Sequence, residues 1–269
     1  MKISKITRQK NLSDRYNLFT EKAGKEEYAF SVDESILVKY QLRKGMELDP
    51  LLLNQIQYSD EIRKGYHTAV RYLTRMKRTE AEVRTHLRTK IEEDTVIAEV
   101  IRKLYEMKFL DDEDYAYSYV RTQKNTSDKG PELIRRELRE KGLGDELISK
   151  ALVELPFDVM LANAEKIAAK ALSSNKKNSF KMAKQKVEQT LTRKGYPGSV
   201  IKEVKLSLDE TGEEDELAAL RVHGEKAQRK FSAYTGYEFK QKMKQFLYRK
   251  GFSIELIQKY LDELESFED

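Results

Sequence analysis

The 269-residue chain has no cysteine and no tryptophan, and it is poor in proline (four) and glycine (twelve). Without cysteine there is no disulfide framework, no thiol nucleophile and no Cys-ligated zinc. So little Gly and Pro excludes collagen-like and Pro/Gly-rich disordered chains, and argues against a large all-β domain, whose tight turns consume both. No run of about 18 apolar residues occurs, so no membrane-spanning helix and no membrane partner are expected. Met1-Lys2-Ile3-Ser4-Lys5 leads into no apolar stretch of the kind a secretory signal needs. A dominant charge sign is missing too: 51 Lys+Arg face 46 Asp+Glu, a net charge of +5, although 36% of residues are charged. What is left is a charge-rich, mainly helical chain, expected in the cytoplasm and long enough for more than one core.

The small net charge conceals alternation. It is +1 over residues 1–60, +4 over 61–110, −3 over 111–155, +7 over 156–208 and −4 over 209–269. Such blocks suit a polar partner touched in places better than one uniform nucleic-acid groove.

Self-similarity is the most informative feature present. Glu137-Leu138-Arg139-Glu140-Lys141-Gly142-Leu143, Thr190-Leu191-Thr192-Arg193-Lys194-Gly195-Tyr196 and Phe246-Leu247-Tyr248-Arg249-Lys250-Gly251-Phe252 all read x-Leu-x-x-Lys-Gly-apolar. Each is followed at the same offset by an apolar pair: Leu147/Ile148, Val200/Ile201 and Leu256/Ile257. A degenerate copy lies upstream as Leu87, Lys90 and Ile91, followed by Val96/Ile97. Spacing on this scale marks a stacked repeat. The motif reads as a helix stop in which Gly takes a left-handed backbone and the Leu meets the apolar residue after it. The lysine then lies at the negative end of the helix dipole. Where Ile91 replaces Gly, the helix should stop differently.

Each repeat is expected to hold three helices. Tyr66, Ala69, Val70 and Leu73 recur on one helical face. Thr79 and Glu82 read as a capping box opening a second helix, and Val96 to Leu104 make a third. The second repeat opens with the acids Asp111–Asp114 and has Pro131 at the start of its middle helix. Residues 1–58 differ: short, partly alternating runs between turn-prone stretches (Asn11–Asp14, Ala23-Gly24-Lys25, Lys44-Gly45) predict a small antiparallel sheet, with Ile36, Leu37, Val38 and Tyr40 among the strand-patterned residues. Asp49-Pro50 ends it, and a short leading helix over 51–58 follows. The expected architecture is therefore mainly α: an elongated tandem of four three-helix repeats (59–110, 111–155, 156–208 and 209–269) behind a small β-rich domain.

Chemistry of the catalytic kind is not in view. His67, His86 and His223 lack ligand spacing, so no metal is expected. Gly142-Leu143-Gly144 lacks the strand and third glycine of a dinucleotide loop, and no other phosphate loop occurs, so no cofactor is expected. Asp111–Asp114 is better explained as a helix start than as a cation loop. The chain is read as a non-enzyme. The candidate functional residues are basic. Arg71, Arg75 and Arg78 are spaced to share a helix face, as are Arg84 and Arg88, with Lys77 and Lys90 nearby. Arg121, Lys129, Arg135 and Arg136 belong to a second group, and Lys176, Lys177, Lys181 and Lys184 to a third. As sets they suit phosphates or an acidic protein groove; taken one by one, they also suit a solvated, salt-bridged surface.

Laid out in order, Tyr72-Leu73-Thr74-Arg75, Arg78-Thr79-Glu80-Ala81-Glu82-Val83-Arg84, Phe109-Leu110-Asp111-Asp112, Tyr115-Ala116, Tyr119-Val120-Arg121 and Glu137 to Gly142 resemble the RecX family of bacterial regulatory proteins. The match is best from Tyr72 to Leu155. An extra C-terminal repeat and the N-terminal β extension are similar to the longer Gram-positive members. The resemblance implies a curved array of three-helix bundles lying in the helical groove of the RecA recombinase–DNA filament. There it would bridge subunits, suppress ATP hydrolysis and strand exchange, and block filament growth. It further implies weaker contact with single- and double-stranded DNA, and a monomer suits insertion into a groove. Two other readings stand beside it: a helical-repeat protein acting directly on DNA, and a protein-interaction adaptor unrelated to recombination.

Overall fold

A computed structural model describes residues 1–10, 14–22, 24–175, 178–209 and 214–266. Parts of the two N-terminal turn stretches (Asn11–Ser13 and Ala23), and Lys176 and Lys177 of the third basic group, lie outside them. The described chain divides into two compact units: Met1–Tyr115 together with Lys141–Leu143, and Ala116–Glu140 together with Gly144–Asp269. No described helix is long and apolar enough to cross a membrane.

The first unit opens with the expected antiparallel sheet. Strands β1 (Ile3–Arg8), β2 (Arg15–Lys22) and β3 (Lys25–Asp33) pair in sequence order, with irregularities of register between Ile3 and Lys5 and between Leu18 and Phe19. The strand pattern does not continue through Ile36–Tyr40. Ile36, Leu37 and Val38 belong to a helix, α1 (Glu34–Lys39), and Tyr40 caps its C-terminal end. Asp33 starts that helix, its carboxylate accepting from the Ser35 amide at 2.9 Å; so strong a cap outweighs the weak alternation of a six-residue segment. The leading helix over 51–58 and the first helix of the first repeat are one continuous α2 (Pro50–Leu73).

Asp60 on α2 joins the sheet to the repeats. Its buried carboxylate accepts from the Arg15 guanidinium at 2.8 and 3.2 Å and from the Asp33 amide at 2.8 Å, and pairs with Lys64 at 2.9 Å. A buried charge is tolerable only when so fully satisfied. The first repeat is completed by α3 (Glu80–Arg88) and α4 (Asp94–Glu106). Its core gathers Ala69, Val83, Leu87, Val96, Ile97, Val100 and Leu104. The capping box at Thr79 and Glu82 forms in both directions.

The second repeat comprises α5 (Asp112–Thr126), α6 (Pro131–Glu140) and α7 (Asp145–Ala151), which runs into a short 3-10 turn over Leu152–Glu154. The third holds α8 (Phe157–Ser174), α9 (Phe180–Arg193) and α10 (Gly198–Asp209); the fourth, α11 (Glu214–Lys230), α12 (Gly236–Arg249) and α13 (Ile254–Ser266). Each of the last two closes its own core, Val187, Leu191 and Val200 in one and Met243, Leu247 and Ile257 in the other. Tandem three-helix domains behind a small sheet are thus the observed architecture.

The helix stops form as the motif predicts. At the end of α9 the Tyr196 amide donates to the Leu191 carbonyl at 3.0 Å and Gly195 to Thr192 at 2.9 Å, with Gly195 at φ +82°. Gly142 (φ +84°) and Gly251 (φ +91°) share the left-handed conformation. The first copy stops without it: the Ile91 amide donates to the Leu87 carbonyl at 2.9 Å.

The stops also do something the motif does not announce. Each Lys-Gly stop is received by the start of the preceding repeat's middle helix. The Thr79 hydroxyl donates to the Lys141 carbonyl at 2.7 Å, and the Ser179 hydroxyl to the Lys250 carbonyl at 2.7 Å. Between them, the Gly130 and Glu132 amides donate to the Lys194 and Gly195 carbonyls at 2.7 and 3.0 Å. Helix N-termini carry orphan N–H groups and helix C-termini orphan carbonyls, so abutting the two satisfies both. Lys141 pairs with Glu82 at 3.2 Å and Lys194 with Asp128 at 2.5 Å across these joints.

Candidate functional site

The first repeat carries a groove between the C-terminal half of α2 and the end of α3. At its centre Tyr72 and His86 stack, with ring centroids 4.1 Å apart and planes 11° from parallel. The Arg78 guanidinium lies over Tyr72, 4.8 Å from the ring centroid. Beside the stacked rings is a cavity of about 610 Å³ whose lining includes Lys64, Arg71, Arg75 and Lys90. Close packing of Ile91 and of Val100 on α4 shapes its floor: a Cβ on Gly65 would lie 2.7 Å from Ile91 Cδ1 and 2.8 Å from Val100 Cγ2.

Charge distinguishes this groove. Lys64 is committed to Asp60, whereas the side chains of Arg71, Arg75 and Lys90 have no ion pair or hydrogen bond with any described residue. Glu61 is the one carboxylate in the described lining. Three unneutralised cations beside two stacked rings form a surface for an anion, and phosphate or carboxylate oxygens are the groups that fit it.

The other basic candidates are mostly engaged inside the protein. Arg78 pairs with Glu82 at 3.5 Å, Arg84 with Glu80 at 2.6 Å and Arg88 with Asp94 at 3.3 Å. Arg121 meets Glu154 at 2.8 Å, Lys129 meets Glu137 at 2.6 Å, and Arg136 lies 4.0 Å from Glu140. Arg135 donates to the Ser149 hydroxyl at 2.9 Å. On α9, Lys181 is exposed and Lys184 lies 5.5 Å from the Phe180 ring centroid. Arg71, Arg75 and Arg78 do not share a helix face, because α2 ends at Leu73 and the chain turns so that Thr79 can cap α3. The turn nevertheless brings Arg75 into the groove beside Arg71.

Two titrating groups report on the joint at Thr79. Burial pushes the Glu82 carboxyl up, but the Thr79 amide, Lys141 and Arg78 together outweigh it and hold it below the usual carboxylate range. Asp112 goes the other way: burial, then the neighbouring Glu80, Asp111 and Glu82 charges, raise it despite a hydrogen bond from the Glu80 amide. Asp14, Asp33 and His67 bring ligand atoms within 4.8 Å of one another. Asp33 Oδ1 is already engaged by Ser35 and Arg63.

Comparison with known proteins decides the family. The description "Regulatory protein RecX N-terminal domain" matches residues 1–49, the first RecX three-helix domain 66–104 and the second 111–152. The third three-helix domain matches twice, at 158–204 and 213–261. Regulatory protein RecX of Bacillus subtilis is 43% identical over 98% of this chain and 98% of its own length. That of Bacillus velezensis is 42% identical over 98% and 99%. The chain belongs to the RecX family. A solved structure described as regulatory protein RecX superposes with a TM-score of 0.66 at 38% identity, covering 76% of this chain and 98% of that one. RecX from Lactobacillus salivarius gives a TM-score of 0.55 at 34% identity, covering 56% and 98%. RecX is a family of regulatory proteins, and this member carries the third-domain type in duplicate.

The stacked pair is not legible in the sequence. Tyr72 and His86 sit on facing helices, and nothing in their spacing couples them. Comparing the repeats offers a signal: the residue before each repeat leucine is His86, Glu137, Thr190 or Phe246, aromatic in the first and last copies.

Proposed function

We propose that this chain binds the RecA recombinase filament in its helical groove and restrains it, lowering ATP hydrolysis and strand exchange and blocking filament growth. Membership of the RecX family supports the regulatory part of this reading. The observation that carries the contact itself is the first-repeat groove, where Arg71, Arg75 and Lys90 have no counter-ion among the described residues. Arg84 and Arg88 would have to give up internal partners to join in, so they contribute less. A tandem of small domains offers several weak contacts to a repeating partner, and their combination supplies avidity without a deep pocket. In this reading the protein acts as a monomer, without a cofactor, and DNA alone is a weaker partner.

The test is recombinase ATPase on single-stranded DNA with this protein titrated in. Inhibition is expected well below one molecule per recombinase subunit. Arg71→Gln/Arg75→Gln is expected to raise the concentration required about tenfold, equivalent to about 1.4 kcal/mol, with circular dichroism unchanged. No inhibition by the wild-type protein refutes filament control. Full inhibition by the double variant refutes the groove as the contact. The same unpaired cations support a second reading, direct action on DNA, whose mark is salt-sensitive strand binding that accounts for all the inhibition.

A further inference from the structure

The two end repeats share a feature the inner two lack. At the position before the repeat leucine, the inner repeats are satisfied internally. Glu137 takes Lys129 at 2.6 Å and the Tyr119 hydroxyl at 2.8 Å, while Thr190 donates to the Lys186 carbonyl at 2.8 Å. In the end repeats that position holds a ring facing another ring at or just past the end of the preceding helix. His86 lies on Tyr72, and Phe246 meets Phe231 edge to face with centroids 5.9 Å apart. A cation precedes the second ring in both, Arg71 and Lys230, and the stop lysine follows the first, Lys90 and Lys250.

The stop lysine of the fourth repeat also lacks the partner its inner counterparts have. Lys141 and Lys194 are neutralised across their joints by Glu82 and Asp128. At the Ser179 joint the residue equivalent to Glu82 is Met182, and Lys250 instead lies 5.7 Å from the Phe246 centroid. Lys230 is already there, 5.5 Å from the same centroid and 5.6 Å from that of Phe231. With Lys242 and Arg249 these residues line a cavity of about 440 Å³ between α11 and α12. Its described lining holds four cations and no carboxylate. Lys242 has a counter-ion outside it, Glu238 at 3.6 Å; Lys230, Arg249 and Lys250 have none among the described residues. Ring quadrupoles hold the lysine heads in place but supply no net negative charge.

We infer that this groove of the fourth repeat binds the phosphodiester backbone of single-stranded nucleic acid. Lys242 and Arg249 are seven residues apart on one face of α12, a row of about 10 Å, which linked phosphates fill and a single phosphate does not. Phe231 and Phe246 offer apolar surface for the attached bases, a mode tolerant of sequence because every base has a π-face. The inference rests on the proposed function only for its weaker DNA contact, which it places in this groove, and it can fail or hold without the recombinase reading.

The test is anisotropy of a short fluorescent oligothymidine with the full-length protein, in the wild type and in the Arg71→Gln/Arg75→Gln background, without recombinase. In both, Lys230→Gln/Lys250→Gln is expected to weaken binding about three- to tenfold and to reduce the slope of log K against log salt by about 1.4, two contacts at about 0.7 each. Arg249→Gln, which touches neither joint nor ring, is expected to reduce it by about 0.7. Lys259→Gln, a charge-matched change at an exposed position of α13 outside the groove, should alter neither quantity. Affinity and slope unchanged in the Lys230/Lys250 and Arg249 variants overturn the inference. So does displacement of the strand by free thymidine nucleotide at equal phosphate concentration, which would make the groove a nucleotide pocket instead.

Discussion

Replacing Gly195 by alanine separates the two roles of the helix stop. Gly195 and Gly236 both have a left-handed backbone, at φ +82° and +53°, and both lie in the second unit. Around Gly236 nothing lies within 4 Å of an added Cβ, whereas at Gly195 it would run into the Leu133 backbone nitrogen and come within 2.9 Å of Leu133 Cβ. Gly236→Ala therefore costs only the left-handed strain, about 1–2 kcal/mol. Gly195→Ala adds separation of the joint, with loss of the bonds from the Gly130 and Glu132 amides. At about 1 kcal/mol each, these bring its expected cost to about 3–4 kcal/mol. Urea denaturation followed by circular dichroism measures the difference, and hydrogen exchange locates it. The Gly130 and Glu132 amides should lose protection in Gly195→Ala and keep it in Gly236→Ala. Equal destabilisation by the two variants, or undiminished protection in Gly195→Ala, would show that the stop is only a stop.

Two further outcomes follow from carboxylates satisfied within the first unit. Asp60→Ala strips Arg15, Lys64 and the Asp33 amide of their common acceptor; breaking such a buried set costs about 3–5 kcal/mol. Exchange should rise through β2 and β3 while the cores of the third and fourth repeats stay protected, and uniform loss of protection would contradict the assigned role. Because the folded Glu82 carboxyl titrates below its ordinary value, its stabilisation is complete above the usual carboxylate range and is lost as pH falls through the lower, folded value. Denaturation midpoints measured down the acid limb should therefore fall less steeply for Glu82→Gln than for the wild type; parallel curves would rule out this contribution.

The repeat was legible because its local physics is periodic. Leu191, Lys194, Gly195 and Tyr196 each occupy the site their residue type favours, and the capping box at Thr79 can be read from four residues. The strand pattern at Ile36 to Tyr40 failed because alternation over so few residues carries less information than the Asp33 cap before it. Of the basic candidates, the Glu80–Arg84 pair is visible as a spacing of four, but Arg88–Asp94 and Arg121–Glu154 depend on how helices return on one another. The same limit hid the joints. Glu82 and Lys141 are 59 residues apart, and that distance holds no hint that the second repeat's stop neutralises the first repeat's cap. Which cations stay unpaired, and hence where the grooves are, becomes visible only after these partners have been assigned.

The Lys-Gly joint gives the series of repeats a direction in which it can lengthen. A stop is received only where glycine lets the preceding helix approach, and in the first repeat Ile91 fills that place and packs against Gly65. A duplicated copy cannot be set ahead of the first repeat without remaking that contact. A copy that follows another brings its own lysine and glycine, and at the start of α12 no described atom lies within 4 Å of a Cβ added at Gly236. A tandem held by such joints can lengthen without a new kind of contact, and the third-domain type does occur twice in succession, at 158–204 and 213–261.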